Sequence, residues 1–291
     1  MRYTLFFIVM FSFMSCMDRE RIVDKSKLTG RDYRLFQQTP AWELAKAVED
    51  EDTLLIKSIL TKQPYLVNSK DSIYGETLLM ITILRHQWYS FAFLLSCGAN
   101  INVYESLNGL SPLLLSCRYA DDTKYISELL RYGADPNDKD KVYGYSALIH
   151  TVGSSRLDFL DLLLSKGANI DYVSDYGTSV LGEALLLHDY KIALYLLHHG
   201  VNFKNVLYFR PDATRVSEDN GNENKIPVFI LDKLREDIFP IGSVNYKHKM
   251  LVVDFLKKKG VDYRSYPIPE YTLELIKQQY PQTWQQYIEI Y

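Results

Sequence analysis

Six histidines, His86, His150, His188, His198, His199 and His248, are the side chains best suited to metal binding or proton transfer. A zinc site draws on histidine, thiolate or carboxylate ligands at regular short spacing. The adjacent pair His198-His199 ends an apolar helical stretch, where neighbours point apart and a cationic ring complements the helix dipole. The acidic run Glu49-Asp50-Glu51-Asp52 lacks the spaced ligands and central glycine of a calcium loop and reads as a solvated turn. Ser111, Ser154 and Ser155 have no histidine and acid arranged around them, and no glycine-rich phosphate loop follows a strand. No metal or cofactor is expected. One catalytic alternative stays open: Asp232, Glu236, Asp237 and His248 could build an enzymatic or small-ligand site in the irregular C-terminal part.

Contact chemistry is the stronger candidate. Tyr74, Tyr143 and Tyr176 each stand immediately before a glycine, with Tyr104, Tyr145 and Tyr172 close by. Leu107, Leu110 and Val142 add apolar side chains that a solvated loop does not need. Tyrosine gives a large contact area for little lost side-chain entropy and is enriched at binding hot spots. The chain holds 23 tyrosines, so packing of these rings between loops is the competing reading.

A repeat must position these residues. Gly75, Gly109, Gly144 and Gly177 recur at spacings of 34, 35 and 33 residues. Gly98, Gly133, Gly167 and Gly200 run in step with them at 35, 34 and 33. Thr77, Ser111, Ser146 and Ser179 follow the first ladder and can cap a helix start. Leu94-Leu95, Leu129-Leu130, Leu163-Leu164 and Leu196-Leu197 precede the second ladder, whose glycines suit helix ends. Each unit therefore reads helix, tight turn, helix, glycine stop. Neither helix can bury its apolar stripe alone, so stacked units must share a core. Leu130 is expected inside that core.

This pattern resembles the ankyrin repeat. Gly98-Ala99, Gly133-Ala134 and Gly167-Ala168 match the end of the family signature, and Pro112 keeps its proline. Met80, Leu114, Ile149 and Gly182 stand where the family has a histidine. The resemblance implies an all-α ankyrin-repeat solenoid: stacked helix-turn-helix units, projecting loops and a helical C-terminal cap. It implies a concave face that binds another protein through loop tips and first helices. That face would carry Tyr74, Tyr104, Leu107, Leu110, Tyr143, Tyr145, Tyr172 and Tyr176 at the tips. Arg85, Arg118, Tyr119 and His150 would lie on the inner helices as a partly basic groove. Repeats are expected over 41–207, a flexible insertion over 208–227, a degenerate repeat over 228–263 and the cap over 264–291. A lid is the alternative for the insertion.

The N-terminus has its own signal. Arg2 precedes an apolar stretch from Tyr3 to Met14, too short to span a bilayer comfortably and suited to a secretory signal. Ser15-Cys16 resembles the lipobox of bacterial lipoproteins, with Phe13 and Met14 as departures. The resemblance implies a signal peptide over 1–15, acylation at Cys16, a polar tether over 16–40 and a place in the bacterial cell envelope, anchored outside the cytoplasm. An uncleaved signal anchor is the alternative. Cys97 and Cys117 fall at repeat positions that face apart, so no disulfide is expected. The net charge of −3 gives no polycation footprint for nucleic acid, and a monomer is expected. An immunity-type or chaperone-like binder of a secreted protein would fit this address.

Overall fold

The structure, a computed structural model, describes residues 19–211 and 225–291. The expected signal peptide and Cys16 lie outside the described residues, as does 212–224 of the expected insertion. The chain divides into two compact units, 1–135 and 136–291.

The first unit holds three helix pairs: α1 (Trp42–Glu49) with α2 (Thr53–Lys62), α3 (Leu78–Leu84) with α4 (Trp88–Ser96), and α5 (Pro112–Tyr119) with α6 (Thr123–Arg131). Thr77 and Ser111 start α3 and α5, their hydroxyls accepting the amides of Met80 and Leu114 at 3.3 Å each. Asp52 and Asp122 start α2 and α6 in the same way, accepting from Leu55 and Lys124 at 2.9 Å each. At the end of α4 the chain turns left-handed at Gly98 (φ 85°). The Gly98 and Ala99 amides return to the Leu95 and Leu94 carbonyls at 3.0 Å each, closing the helix. Between paired helices the left-handed residue is instead Glu51 or His86, which the sequence reading did not foresee.

First helices pack on first helices, α1 on α3 and α3 on α5. Phe91 of α4 lies 4.9 Å from the buried ring of Tyr125 on α6, measured between centroids, and Trp88 meets that ring edge-on at 5.4 Å. Asn68 ties successive loops by accepting the Asn100 amide at 2.7 Å. On α6 the fully buried leucine is Leu129, and Leu130 is half-buried. This corrects the expected phase: the Gly133 exit fixes the pair one residue round from the assigned orientation.

From residue 19 onward the expected tether over 16–40 is also corrected. Tyr33, Leu35 and Phe36 form a short 3₁₀ turn and are buried, packed on α1. The Arg19 guanidinium bonds Asp50 at 2.6 and 2.9 Å, and Glu20 holds Lys46 at 2.6 Å. Three apolar side chains, hidden in a polar stretch, make this segment part of the fold.

The second unit opens with α7 (Ala147–Val152) and α8 (Leu157–Ser165), then α9 (Val180–Leu186) and α10 (Tyr190–His198). Strands β1 (Tyr208–Pro211) and β2 (Lys225–Val228) then pair antiparallel, Tyr208 opposite Val228. The arms of the expected insertion are therefore ordered strands, because both edges satisfy each other's backbone groups. Ahead of them, the Leu207 carbonyl accepts the Ser179 amide at 2.8 Å at the start of α9. A Cβ on Gly182 would sit 2.2 Å from that oxygen, which explains a glycine there.

Helices α11 (Ile230–Glu236), α12 (Val244–Lys258), α13 (Glu270–Gln279) and α14 (Trp284–Ile290) complete the unit, with α12 packed on α10. Ile276, Tyr287 and Tyr291 form a small core of their own. Beside it lie two buried basic side chains. Lys249 donates to the Asp237 carbonyl at 2.9 Å, with its Nζ 3.7 Å from the Tyr291 ring centroid. Arg235 donates to the carbonyls of Tyr291, Tyr263 and Arg264 at 3.0, 2.8 and 3.1 Å. Among the described residues no helix is long and apolar enough to cross a membrane.

Candidate partner-binding face

Three of the four repeat turns are built round a buried acid. The Asp71 carboxylate accepts the amides of Ile73, Tyr74 and Glu76 at 2.8, 2.7 and 2.7 Å. Glu105 accepts those of Leu107, Asn108 and Leu110 at 2.5, 2.7 and 3.0 Å. Asp140 accepts four, from Val142, Tyr143, Gly144 and Tyr145, at 3.0, 2.6, 3.2 and 3.1 Å. Bonds from N–H to a carboxylate are the strong ones, so three or four per acid hold the turn in one shape. The fourth turn has Ser174 in this role, accepting only the Thr178 amide at 3.0 Å. Sequence reasoning missed these residues. The signal was present: an acid stands four positions before Gly75, Gly109 and Gly144.

In the second unit the fixed turns present an aromatic cluster. Tyr143 is 47% exposed and Tyr176 55%. Their ring centroids lie 5.7 Å apart at an interplanar angle of 61°, and the Tyr145 ring lies 5.5 Å from that of Tyr143, tilted by 34°. Tyr172 is half-buried, its hydroxyl donating to the Gly144 carbonyl at 2.8 Å, and Val142 is exposed. In the first unit Leu107 is 68% exposed and Arg118 is exposed, its guanidinium 5.4 Å from the Tyr119 ring. Tyr119 and Tyr104 are half-buried. Tyr74 is half-buried too, its hydroxyl donating to the Leu28 carbonyl at 2.7 Å.

Two expected contacts are corrected. Leu110 is 1% exposed, because its amide is drawn onto Glu105 and its side chain goes under the turn. His150 is buried, its Nε2 3.0 Å from Asp140 Oδ2. One turn into α7, it points back beneath its own loop and braces the acid there. Arg85 of the expected basic groove stays exposed, its guanidinium reaching the Arg31 carbonyl at 3.2 Å and Glu49 at 3.6 Å.

The residues of the catalytic alternative do not converge. Asp232 accepts the Phe229 amide at 2.8 Å and caps α11, while Glu236 pairs with Arg210. Asp237 bonds Lys233 at 2.6 Å and the Tyr190 hydroxyl. His248 shares none of these contacts. Among the described residues no group of three or more histidines, cysteines and acids could hold a metal ion.

Residues 113–206 match the family description ankyrin repeats, in three copies. This part of the chain carries ankyrin repeats. It is 28% identical over 217 residues to an ankyrin repeat protein of Acanthamoeba polyphaga mimivirus, covering 73% of this chain and 31% of that protein. It is 30% identical over 128 residues to ankyrin repeat and SOCS box protein 6 of Homo sapiens, covering 42% and 30%. It is 30% identical over 165 residues to an ankyrin repeat protein of Fowlpox virus, covering 56% and 27%. The chain thus spans about a third of the length of the curated relatives it matches. The ankyrin repeat is a protein–protein interaction module, and these matches indicate no enzymatic family.

Proposed function

We propose that this chain holds another protein on its repeat turns, with Tyr143, Tyr145 and Tyr176 as the aromatic anchor and Leu107, Arg118 and Tyr119 as contacts in the first unit. The cluster of exposed rings on an acid-braced turn carries the reading. The two rings, 5.7 Å apart, hold each other across neighbouring turns yet stay exposed, so a partner gains contact area already ordered before binding. Acylation at Cys16 places the module in a bacterial envelope, where an immunity-type or chaperone-like role toward a secreted protein suits it. Two or three acyl chains give stable anchoring where one is marginal, at ~0.8 kcal/mol per buried CH₂.

The test is a paired substitution in the full chain. Cross-linking in the host identifies the protein retained by the parent and lost by Tyr143→Ala/Tyr176→Ala, and the purified pair is then titrated. Each hot-spot tyrosine is worth ~2 kcal/mol or more, so Kd should rise well over tenfold while the melting temperature holds. A variant that keeps its Kd overturns the assignment of these rings. Cys16→Ser should move the chain from the membrane to the soluble fraction; retention in the membrane with equal processing overturns the anchor.

A further inference from the structure

The first unit contains a cleft of about 160 Å³ between the 29–31 segment and two repeat turns, lined by Gly30, Arg31, Glu76, Glu105, Leu107 and Tyr119 among others. Glu76 is its chemical centre. It follows the turn glycine Gly75, is 7% exposed, and its Oε2 has no hydrogen-bond partner. The neighbouring acids differ from it. Asp71 and Glu105 each accept three backbone amides, while the Glu76 carboxyl beside the cleft accepts none, and its Oε2 is buried. Room for its carboxylate exists because residue 30 is glycine: a Cβ there would lie 2.6 Å from Oε1. A buried, unpaired carboxyl costs stability, so a structure-only role would favour glutamine or an apolar residue.

We propose that this cleft takes the side chain of a lysine from a partner protein, its ammonium on Glu76 and its methylene stem along Leu107 and the Tyr119 ring. The inference rests on the protein-binding reading above and names a contact for it. Charge complementarity carries it. Three acids converge, Asp71, Glu76 and Glu105, and Arg31 is the cation facing them. The ring of Tyr119 already has Arg31 and Arg118 at 5.7 and 5.4 Å, so it tolerates cationic neighbours. Burial holds the empty Glu76 carboxyl up at about 8, Asp71 and Glu105 push it the same way, and Arg31 opposes them. An arriving ammonium favours the ionised form, so binding near pH 7 should release a proton.

The probe is acetyl-Gly-Lys-Gly-amide, titrated into the full chain by calorimetry at pH 7 in two buffers of different ionisation enthalpy. Saturable binding with release of a fraction of a proton approaching one is expected. Glu76→Gln should weaken it at least tenfold, remove the proton release and melt no lower than the parent. Gly30→Ala, which crowds the carboxylate, should weaken it too. Equal binding of the norleucine peptide, or undiminished binding by Glu76→Gln, overturns the proposal. Butylamine binding as tightly as the peptide overturns it in favour of a small amine. The two readings fail separately: a silent lysine peptide with Tyr143 and Tyr176 still needed for the partner sinks only the cleft. Dispensable tyrosines with a peptide that binds sink only the turn-tip anchor.

Discussion

Asp71, Glu105 and Asp140 bury acidic side chains on backbone amides in the repeat turns, whereas Lys249 and Arg235 bury basic side chains on backbone carbonyls among the C-terminal helices. A tight turn aims several N–H groups inward and has no partner for them, so an acid suits it. Converging helix ends and loops leave carbonyls, so a cation suits them, and tyrosine faces add to the field: Arg235 sits 4.0 Å from the Tyr263 ring centroid. The same requirement, that buried backbone groups find partners, is met with opposite signs. The turn solution repeats with the ankyrin period, while the helical solution occurs once.

The largest way to break this comparison is Asp140→Ala. It strands up to four amides and the His150 ring, and each stranded donor costs ~1–3 kcal/mol where water cannot reach it. A loss of roughly 3–4 kcal/mol is expected by urea denaturation, since water will relieve the outer amides. A loss under ~1 kcal/mol would show that the acid follows the turn rather than making it.

The opposite signs also give opposite responses to pH. Glu76 has a folded pKa of about 8, against ~4.3 unfolded. Between these values the folded chain binds more protons, so stability of that region falls as pH rises. Burial lowers the Lys249 ammonium to about 6, with the charges of Arg235 and Lys233 assisting and Asp237 opposing; the unfolded value is ~10.4. Between these values the unfolded chain binds more protons, so stability there rises with pH. Hydrogen-exchange protection factors should therefore fall in α3 from pH 5 to 8 and rise in α12 from pH 6 to 9. Glu76→Gln should flatten the first trend alone and Lys249→Met the second alone. Parallel trends in both helices would remove the contrast.

The smallest expected effect sharpens it. Ser174→Ala removes one hydroxyl acceptor from the fourth turn and should cost only ~1 kcal/mol. A cost near that of Asp140→Ala would mean that the turns are fixed by their glycines and not by the acid.

What the sequence disclosed follows from what the backbone demands. The glycine ladders and the Thr77, Ser111, Ser146 and Ser179 caps were legible because only a few residue types can take those positions. The acid register was harder to see, because Asp71, Glu105, Asp140 and Ser174 are not one residue type. The last turn is also one residue shorter, with Gly177 three places after Ser174. Burial at the tips depends on which way a loop side chain leaves the turn. Periodicity does not encode that, and so Leu110 and His150 were placed outside. Glu76 left no signal, since one acid beside a turn glycine looks solvated until the 29–31 segment is laid over it.

That overlying segment fixes a length scale. With Cys16 as the proposed anchor, two residues, Met17 and Asp18, separate the acylated position from Arg19, whose guanidinium is already held by Asp50. The three Cα–Cα steps between them span at most about 10 Å. The N-terminal end of the first unit is then held close to the lipid surface. A partner in the same membrane would meet that unit at high effective concentration, and one free in solution would have to come to the bilayer to be held.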